Sequence, residues 1–214
     1  MSTPISVLLV DDHPIVREGY RRLLEESGKV RVLGEAATVD EAYQRFCRLT
    51  PDVVVMDLAL PGVSGIEGIR RMLTHDANAR VLVFSMHEDA IFARRALESG
   101  AAGYLTKASA PRVLVEAVEA VASGKRYISH AMAQTLALAS LSTDAGAQKH
   151  LSASEFEVLE MLVQGHTIDE IARQLRLNSK TVANHQSVIK QKLNVETGAQ
   201  LVHAATRLGL VPRV

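Results

Sequence analysis

Two hydrophobic rhythms alternate along the first 125 residues of this chain. Strand-like segments fall at 5–10, 30–36, 52–57, 81–85 and 102–105, all but the second built on a continuous apolar run. Between them, apolar side chains recur at helical intervals near 14–27, 39–49, 65–75, 89–99 and 111–123, as in Val16, Tyr20, Leu23 and Leu24, or Val113, Val118 and Val121. Pro14 and Pro111 suit the first turn of a helix, where a missing N–H costs nothing. Ser27-Gly28, Ser99-Gly100 and Ser123-Gly124 read as helix stops. Strands buried on both faces read as continuous apolar runs. Five strand–helix units in a row therefore predict an α/β domain over 1–125, with a five-stranded, doubly wound parallel sheet covered by helices on both faces.

The rhythm then changes. Residues 126–148 read as a linker, with Ala131 to Ser142 rich enough in Ala and Leu to extend a helix, and Ser142 to Gln148 small and polar. From 149 to 214 the pattern is entirely helical. Ser152 and Glu155 have capping-box spacing ahead of Phe156, Leu159, Leu162 and Val163, a run that stops at Gly165. A second helix, about 167–175, carries Ile168, Ile171, Ala172 and Leu175. After the turn Arg176-Leu177-Asn178, Ser179 is a candidate cap for a third helix over 180–193, which buries Val182, Ile189 and Leu193. A fourth, about 197–208, buries Leu201, Val202 and Ala205. Two helices joined by a tight turn, the second basic on its exposed face, form a helix-turn-helix pattern in a second, all-α domain.

Composition narrows the function classes. The chain is 47% hydrophobic and 22% charged, its formal net charge is zero, and no apolar stretch approaches the roughly 18 residues of a membrane span. The start, Met1-Ser2-Thr3-Pro4, lacks the basic and apolar regions of a signal peptide, so a cytoplasmic location is expected. The single Cys47 falls at an apolar helical position and reads as a core thiol. Charge placement says more than the total: from Arg176 to Lys192 the chain has Arg176, Lys180, Lys190 and Lys192 and no acid, which is the electrostatic hint of nucleic acid.

The chemistry gathers at strand ends. The first run ends in Asp11-Asp12, the third in Asp57, the fourth in Ser85, and the fifth leads to Thr106-Lys107. Open parallel sheets place their chemistry outside the carboxyl ends of the strands. If these runs share one sheet, three carboxylates, a hydroxyl and an ammonium converge on one edge. Such a set could bind a divalent cation and accept a phosphoryl group on a carboxylate.

These residues also carry a resemblance. Asp11-Asp12-His13-Pro14, Met56-Asp57-Leu58 with Pro61-Gly62 and Gly65, Ser85, and Gly103-Tyr104-Leu105 with Lys107 resemble a response-regulator receiver domain of the flavodoxin-like type. Leu151-Ser152, Glu155, Val158-Leu159, Gly165, Glu170-Ile171-Ala172, Leu175, Lys180-Thr181-Val182, His185, Ile189 and Lys192-Leu193 resemble the LuxR-type helix-turn-helix. The order receiver, linker, helix-turn-helix is that of the NarL/FixJ family, and the two resemblances cover nearly the whole chain.

The resemblance implies a two-component response regulator, not a dedicated enzyme. Asp57 is then the phosphoacceptor, assisted by Lys107 and Ser85. Asp12 and Asp57 ligate Mg²⁺ directly, Asp11 helps through water, and the backbone carbonyl of Ala59 is a further ligand. Ser85 and Tyr104 form the switch, Tyr104 turning inward as Ser85 shifts toward the phosphoryl group. Ala59 and His87 border that group and tune its lifetime, while His13 is a helix-entry residue. Implied partners are a sensor histidine kinase, double-stranded promoter DNA, a second copy of the chain on phosphorylation, and RNA polymerase, with no membrane. Dimerisation would use the helices near 14–27 and 111–123.

On the third C-terminal helix, Lys180, His185, Lys190 and Lys192 are candidates for phosphate contacts, and Asn184 and Ser187 for base edges. Thr181 and Ala183 complete the DNA-contacting set. Three positions depart from the family pattern. Ala108 stands where most receivers have a cis-Pro, so the loop is either trans or holds a cis bond costing about 2.5–4 kcal/mol. Ala183 and Ser154 replace a common Lys and Arg, which favours a modest-affinity or cooperative DNA binder. The runner-up reading is a phosphorylation-independent DNA-binding regulator with a relic receiver. An aspartate-based phosphatase is disfavoured because Ala59 cannot act as its second acid.

Overall fold

The computed structural model describes residues 3–109, 111–141, 151, 153–175 and 177–207. Arg176, Ser152 and the polar part of the linker, 142–148, lie outside the described residues. The chain divides into two compact units, Met1–Ser140 and Leu141–Val214.

The first unit alternates β1 (Ile5–Val10), α1 (Pro14–Glu26), β2 (Val30–Ala36), α2 (Val39–Leu49), β3 (Val53–Met56), α3 (Gly65–His75), β4 (Val81–Ser85), α4 (Ala90–Glu98), β5 (Gly103–Thr106) and α5 (Pro111–Ala122), followed by β6 (Tyr127–Ile128) and α6 (His130–Leu141). The sheet order is β2-β1-β3-β4-β5-β6, with every pair parallel. Alternate strand residues Val7, Leu9, Val53, Val55, Leu82, Phe84 and Leu105 pack with Leu24 of α1 and Leu114, Ala117, Val118 and Val121 of α5. Helices α2, α3 and α4 pack on one another and bury Phe46, Ile69, Met72 and Phe92. Burial on both faces explains the unbroken apolar runs.

Six strands stand where five were expected. β6 pairs Gly103 with Tyr127 and Tyr104 with Ile128. Gly103 makes this possible, since a Cβ there would lie 2.5 Å from the Tyr127 carbonyl oxygen. Two residues are too few to show an alternating pattern, so the segment read as part of the linker. The Ala- and Leu-rich stretch after it forms α6, as its composition suggested.

The second unit comprises α7 (Ala153–Val163), α8 (Ile168–Gln174), α9 (Ser179–Leu193) and α10 (Gly198–Arg207). Its core gathers Val158, Leu159, Met161, Ile171, Ala172, Val182, Ile189, Leu201 and Ala205, with Leu193 partly buried against it. Two local expectations need correction, and one feature was missed. Val202 is 42% exposed, and Ala204 is buried with Leu201 and Ala205, because positions i, i+3 and i+4 share a helix face. The N-cap of α9 is Asn178, not Ser179: its side chain accepts from the Thr181 N–H at 2.7 Å. A capping box absent from the sequence reading joins Thr167 and Glu170 at the start of α8. Among the described residues, no helix is long and apolar enough to cross a membrane.

Candidate functional site

The register of β1 and β3 builds the site. Val10 pairs with Met56, so the next residues, Asp11 and Asp57, emerge side by side at the carboxyl edge. The Asp57 N–H donates to the Val10 carbonyl at 2.9 Å, and the Asp11 N–H to Ala36 at 3.0 Å. Beyond Asp57 the chain turns tightly into α3. Gly65 permits that turn, because a Cβ there would stand 2.2 Å from the Asp57 carbonyl oxygen.

Both carboxylates are buried, Asp11 at 2% and Asp57 at 3% exposure. They converge on one ammonium: Lys107 Nζ donates to Asp11 Oδ2 at 2.5 Å and to Asp57 Oδ2 at 2.6 Å. Burial pulls the Lys107 pKa down, but hydrogen bonds and charge attraction from Asp11 and Asp57 outweigh it and raise the net value. The ammonium is therefore kept charged. Lys107 is aimed by its backbone, whose N–H donates to the Ser85 carbonyl at 2.8 Å across the β4–β5 ladder. Among the described residues no peptide bond is cis, so the loop at Ala108 takes the trans alternative.

Lys107 bridges two of the three carboxylates and leaves Asp12 outside that bridge. Asp12 Oδ1 is buried and has no hydrogen bond, although His13 Nδ1 lies 2.8 Å away. The His13 N–H donates to Asp11 Oδ1 at 2.8 Å. One ligand atom each from Asp11, Asp12 and His13 falls within a 4.8 Å cluster. His13 thus stands beside the acids as well as at the entry to α1. On Asp57, the second oxygen accepts from the Ala59 N–H at 3.3 Å.

Ser85 and Tyr104 are fully buried and meet through His87. The Ser85 hydroxyl oxygen accepts from the His87 N–H at 3.4 Å, and the Tyr104 hydroxyl donates to the His87 carbonyl at 2.9 Å. Tyr104 is inward in this structure, and its burial pushes the phenol pKa far up. The His87 ring stacks on Phe92 at 3.8 Å with a 9° interplanar angle, and burial lowers its pKa. Two charged residues that sequence reasoning passed over also reach the site. Arg17 donates to the Asp11 carbonyl at 2.6 Å and to Glu35 at 2.7 Å. The available signal was Glu35 itself, an acid near the carboxyl end of a strand.

On α9, Lys180, Asn184 and Ser187 are exposed, while Ala183, His185 and Lys190 are half-buried. The Thr181 hydroxyl donates to Asn178, and the Ser187 hydroxyl to the Ala183 carbonyl. The Ser179 hydroxyl donates to Asp169 at 2.6 Å, tying α9 to α8 across the turn. Lys192 points into the domain, where its ammonium contacts both oxygens of Glu155 at 2.7 and 2.9 Å.

A doubly wound parallel sheet with Asp11, Asp57 and Lys107 at its carboxyl edge, followed in the chain by a helix-turn-helix unit, is the arrangement of a two-domain transcription regulator. Residues 7–119 match the response regulator receiver domain, and residues 149–205 match the bacterial regulatory proteins of the luxR family. The chain belongs to the response regulators of NarL/FixJ type, which regulate transcription. It is 37% identical over 209 residues to the response regulator UvrY of Escherichia coli K12, covering 96% of this chain and 95% of that protein. It is 40% identical over 210 residues to the transcriptional activator protein ExaE of Pseudomonas putida, covering 97% and 98%. A solved structure of RcsB from Salmonella enterica serovar Typhimurium, bound to promoter rprA in the presence of phosphomimetic BeF3−, shares 26% identity and a TM-score of 0.79, covering 95% of this chain and 99% of that one.

Proposed function

We propose that Mg²⁺-dependent phosphorylation of Asp57 by a sensor histidine kinase controls dimerisation and promoter binding by this chain, in the cytoplasm. The observation that carries this reading is the position of Asp57: buried, beside Asp11, with one oxygen on Lys107. A carboxylate oxygen of Asp57 attacks the phosphorus of a phosphohistidine in line. The P–N bond breaks, its electron pair stays on the departing imidazole, and an acyl phosphate forms. Lys107 offsets the charge of the transferring phosphoryl group, and the Ser85 hydroxyl donates to one of its oxygens.

The residues present fit a hard cation. Asp12 Oδ1 is buried without a hydrogen bond, and the neighbouring donors are carboxylate oxygens. Asp11, Asp12, Asp57 and the Ala59 carbonyl would hold Mg²⁺, which supplies neutralising charge to the phosphoryl oxygens. Water later hydrolyses the acyl phosphate, at a rate set by the groups at Ala59 and His87. Tyr104 and Ser85, joined through His87, carry the switch outward from Asp57.

The promoter-bound RcsB relative supports the DNA half of the reading. Lys180, His185 and Lys190 contact phosphates, Asn184 and Ser187 reach base edges, and Thr181 and Ala183 line the approach. Lys192 serves as a scaffold cation through Glu155. RNA polymerase is the downstream partner. Lys180→Ala should weaken binding to all sequences alike and reduce the salt slope by about 1. Asn184→Ala should relax preference at one base pair by about 1–3 kcal/mol. Fluorescence anisotropy against specific and scrambled duplexes at several salt concentrations checks both. A specificity loss for Lys180→Ala alone would reverse the assigned roles.

The test of the whole reading is intact mass after incubation with acetyl phosphate or phosphoramidate and Mg²⁺, followed by light scattering. One phosphoryl adduct and a shift to dimer are expected. Failure of a kinase-derived phosphohistidine donor as well would leave the relic-receiver reading.

A further inference from the structure

Past the end of β1, the Asp11 carbonyl has no neighbouring strand to pair with. It lies within a residue only 2% exposed, so it needs a donor from elsewhere. Arg17 supplies one, with Nη1 at 2.6 Å. The same guanidinium donates through Nε to Glu35 Oε2 at 2.7 Å, and Arg21 donates to the other Glu35 oxygen at 3.1 Å. Glu35 sits on β2 next to Ala36, whose carbonyl accepts from the Asp11 N–H. Both sides of Asp11 are thus referred to one strand: its N–H directly, its carbonyl through Arg17 and Glu35.

The Asp11 carbonyl belongs to the peptide plane that leads into Asp12. Peptide planarity means that fixing this oxygen also fixes the Asp12 N–H and Cα. Asp12 is the carboxylate whose buried Oδ1 has no hydrogen bond and lies 2.8 Å from His13 Nδ1. We propose that Arg17, braced by Glu35, is a positioning residue for phosphorylation, holding the Asp11–Asp12 peptide so that the Asp12 carboxylate faces the cation site. This rests on the reading of Asp11, Asp12 and Asp57 as a Mg²⁺-dependent phosphoacceptor site.

The surroundings allow the role to be separated from folding. A cleft of about 360 Å³, lined by Arg17, Arg21, Glu35, Glu41 and Arg45 among others, runs along the outer side of this clasp. Water can enter it when the guanidinium is truncated, and none of the apolar core is removed. Losing such a hydrogen-bonded support around metal ligands costs about 10–100-fold in metal affinity.

The experiment titrates Mg²⁺ into full-length wild type, Arg17→Gln, Arg17→Lys and Glu35→Gln by calorimetry. In parallel, the initial rate of phosphoryl incorporation from acetyl phosphate is followed against Mg²⁺ concentration. Melting in EDTA reports the fold. The expected result is a Mg²⁺ midpoint raised roughly tenfold in Arg17→Gln, with the rate at saturating Mg²⁺ largely retained. Arg17→Lys, which keeps the charge and one donor, should recover part of the shift. Glu35→Gln, which leaves Arg17 a neutral acceptor, should shift the midpoint less and serves as the readout if Arg17→Gln fails to fold. An unchanged midpoint in a folded variant, or a fall only in the saturating rate, overturns the proposal. Absence of Mg²⁺ binding by the wild type overturns the phosphoacceptor reading beneath it, and is recognised because it needs no variant.

Discussion

Asp57→Asn should show no phosphoryl adduct under conditions where the wild-type chain carries one. The carboxamide matches the carboxylate in shape, and its oxygen can still accept from Lys107. It lacks the anionic oxygen that attacks phosphorus. Asp11 is the more tightly held of the two: with Oδ2 of each on Lys107, Asp11 Oδ1 accepts from the His13 N–H at 2.8 Å, whereas Asp57 Oδ1 has only the longer 3.3 Å contact from the Ala59 N–H. The loss should therefore be complete, and the Mg²⁺-dependent gain in melting temperature should shrink with it, since one of the repelling carboxylates is gone. Intact mass and thermal melts with and without Mg²⁺ check the two halves. An adduct that persists at the wild-type level would place the phosphoacceptor elsewhere.

The chemistry around Asp57 was legible in the sequence because strand ends are legible. Each apolar run ends at or beside a polar residue, and parallel pairing with Val10 opposite Met56 brings those ends to one edge. Periodicity carries no information about which polar side chains meet across elements. The Arg17–Glu35 clasp was silent for that reason: either residue alone reads as a solvated charge. Lys192 was misleading in the opposite sense. It lies in a basic stripe, yet its partner Glu155 is 37 residues away on α7. Errors at Ser179 and Val202 are one-residue phase errors, the scale at which a helical pattern stops discriminating. β6 had no signal of its own, because a two-residue strand is specified by the edge it joins and by Gly103 opposite it. Ala108 illustrates a question the sequence posed and could not answer: with the bond trans, Lys107 still reaches both carboxylates.

Lys107→Met is expected to have the largest effect on stability. The ammonium is the cation shared by Asp11 and Asp57, and the side chains concerned are 6% and 3% exposed. Removing it leaves two carboxylates facing each other in a dry site with Asp12 beside them. Breaking a buried ion pair by deleting one partner costs about 3–5 kcal/mol, because the remaining charge is uncompensated. Urea unfolding in EDTA should show that loss. Mg²⁺ should recover part of it, since a divalent cation relieves the same repulsion, so the variant should gain more from Mg²⁺ than the wild type. The pH dependence has a definite sign. The folded pKa of Lys107 is raised above its unfolded value of about 10.4, so its contribution is fully present below that pH and is lost only as pH rises through the higher folded value. Across neutral pH the wild-type advantage should therefore be flat. Phosphoryl incorporation should fall as well, because the charge on the transferring group loses its protein counter-ion. A variant as stable as wild type in EDTA, with no added response to Mg²⁺, would mean that Lys107 does not balance the charge of this site.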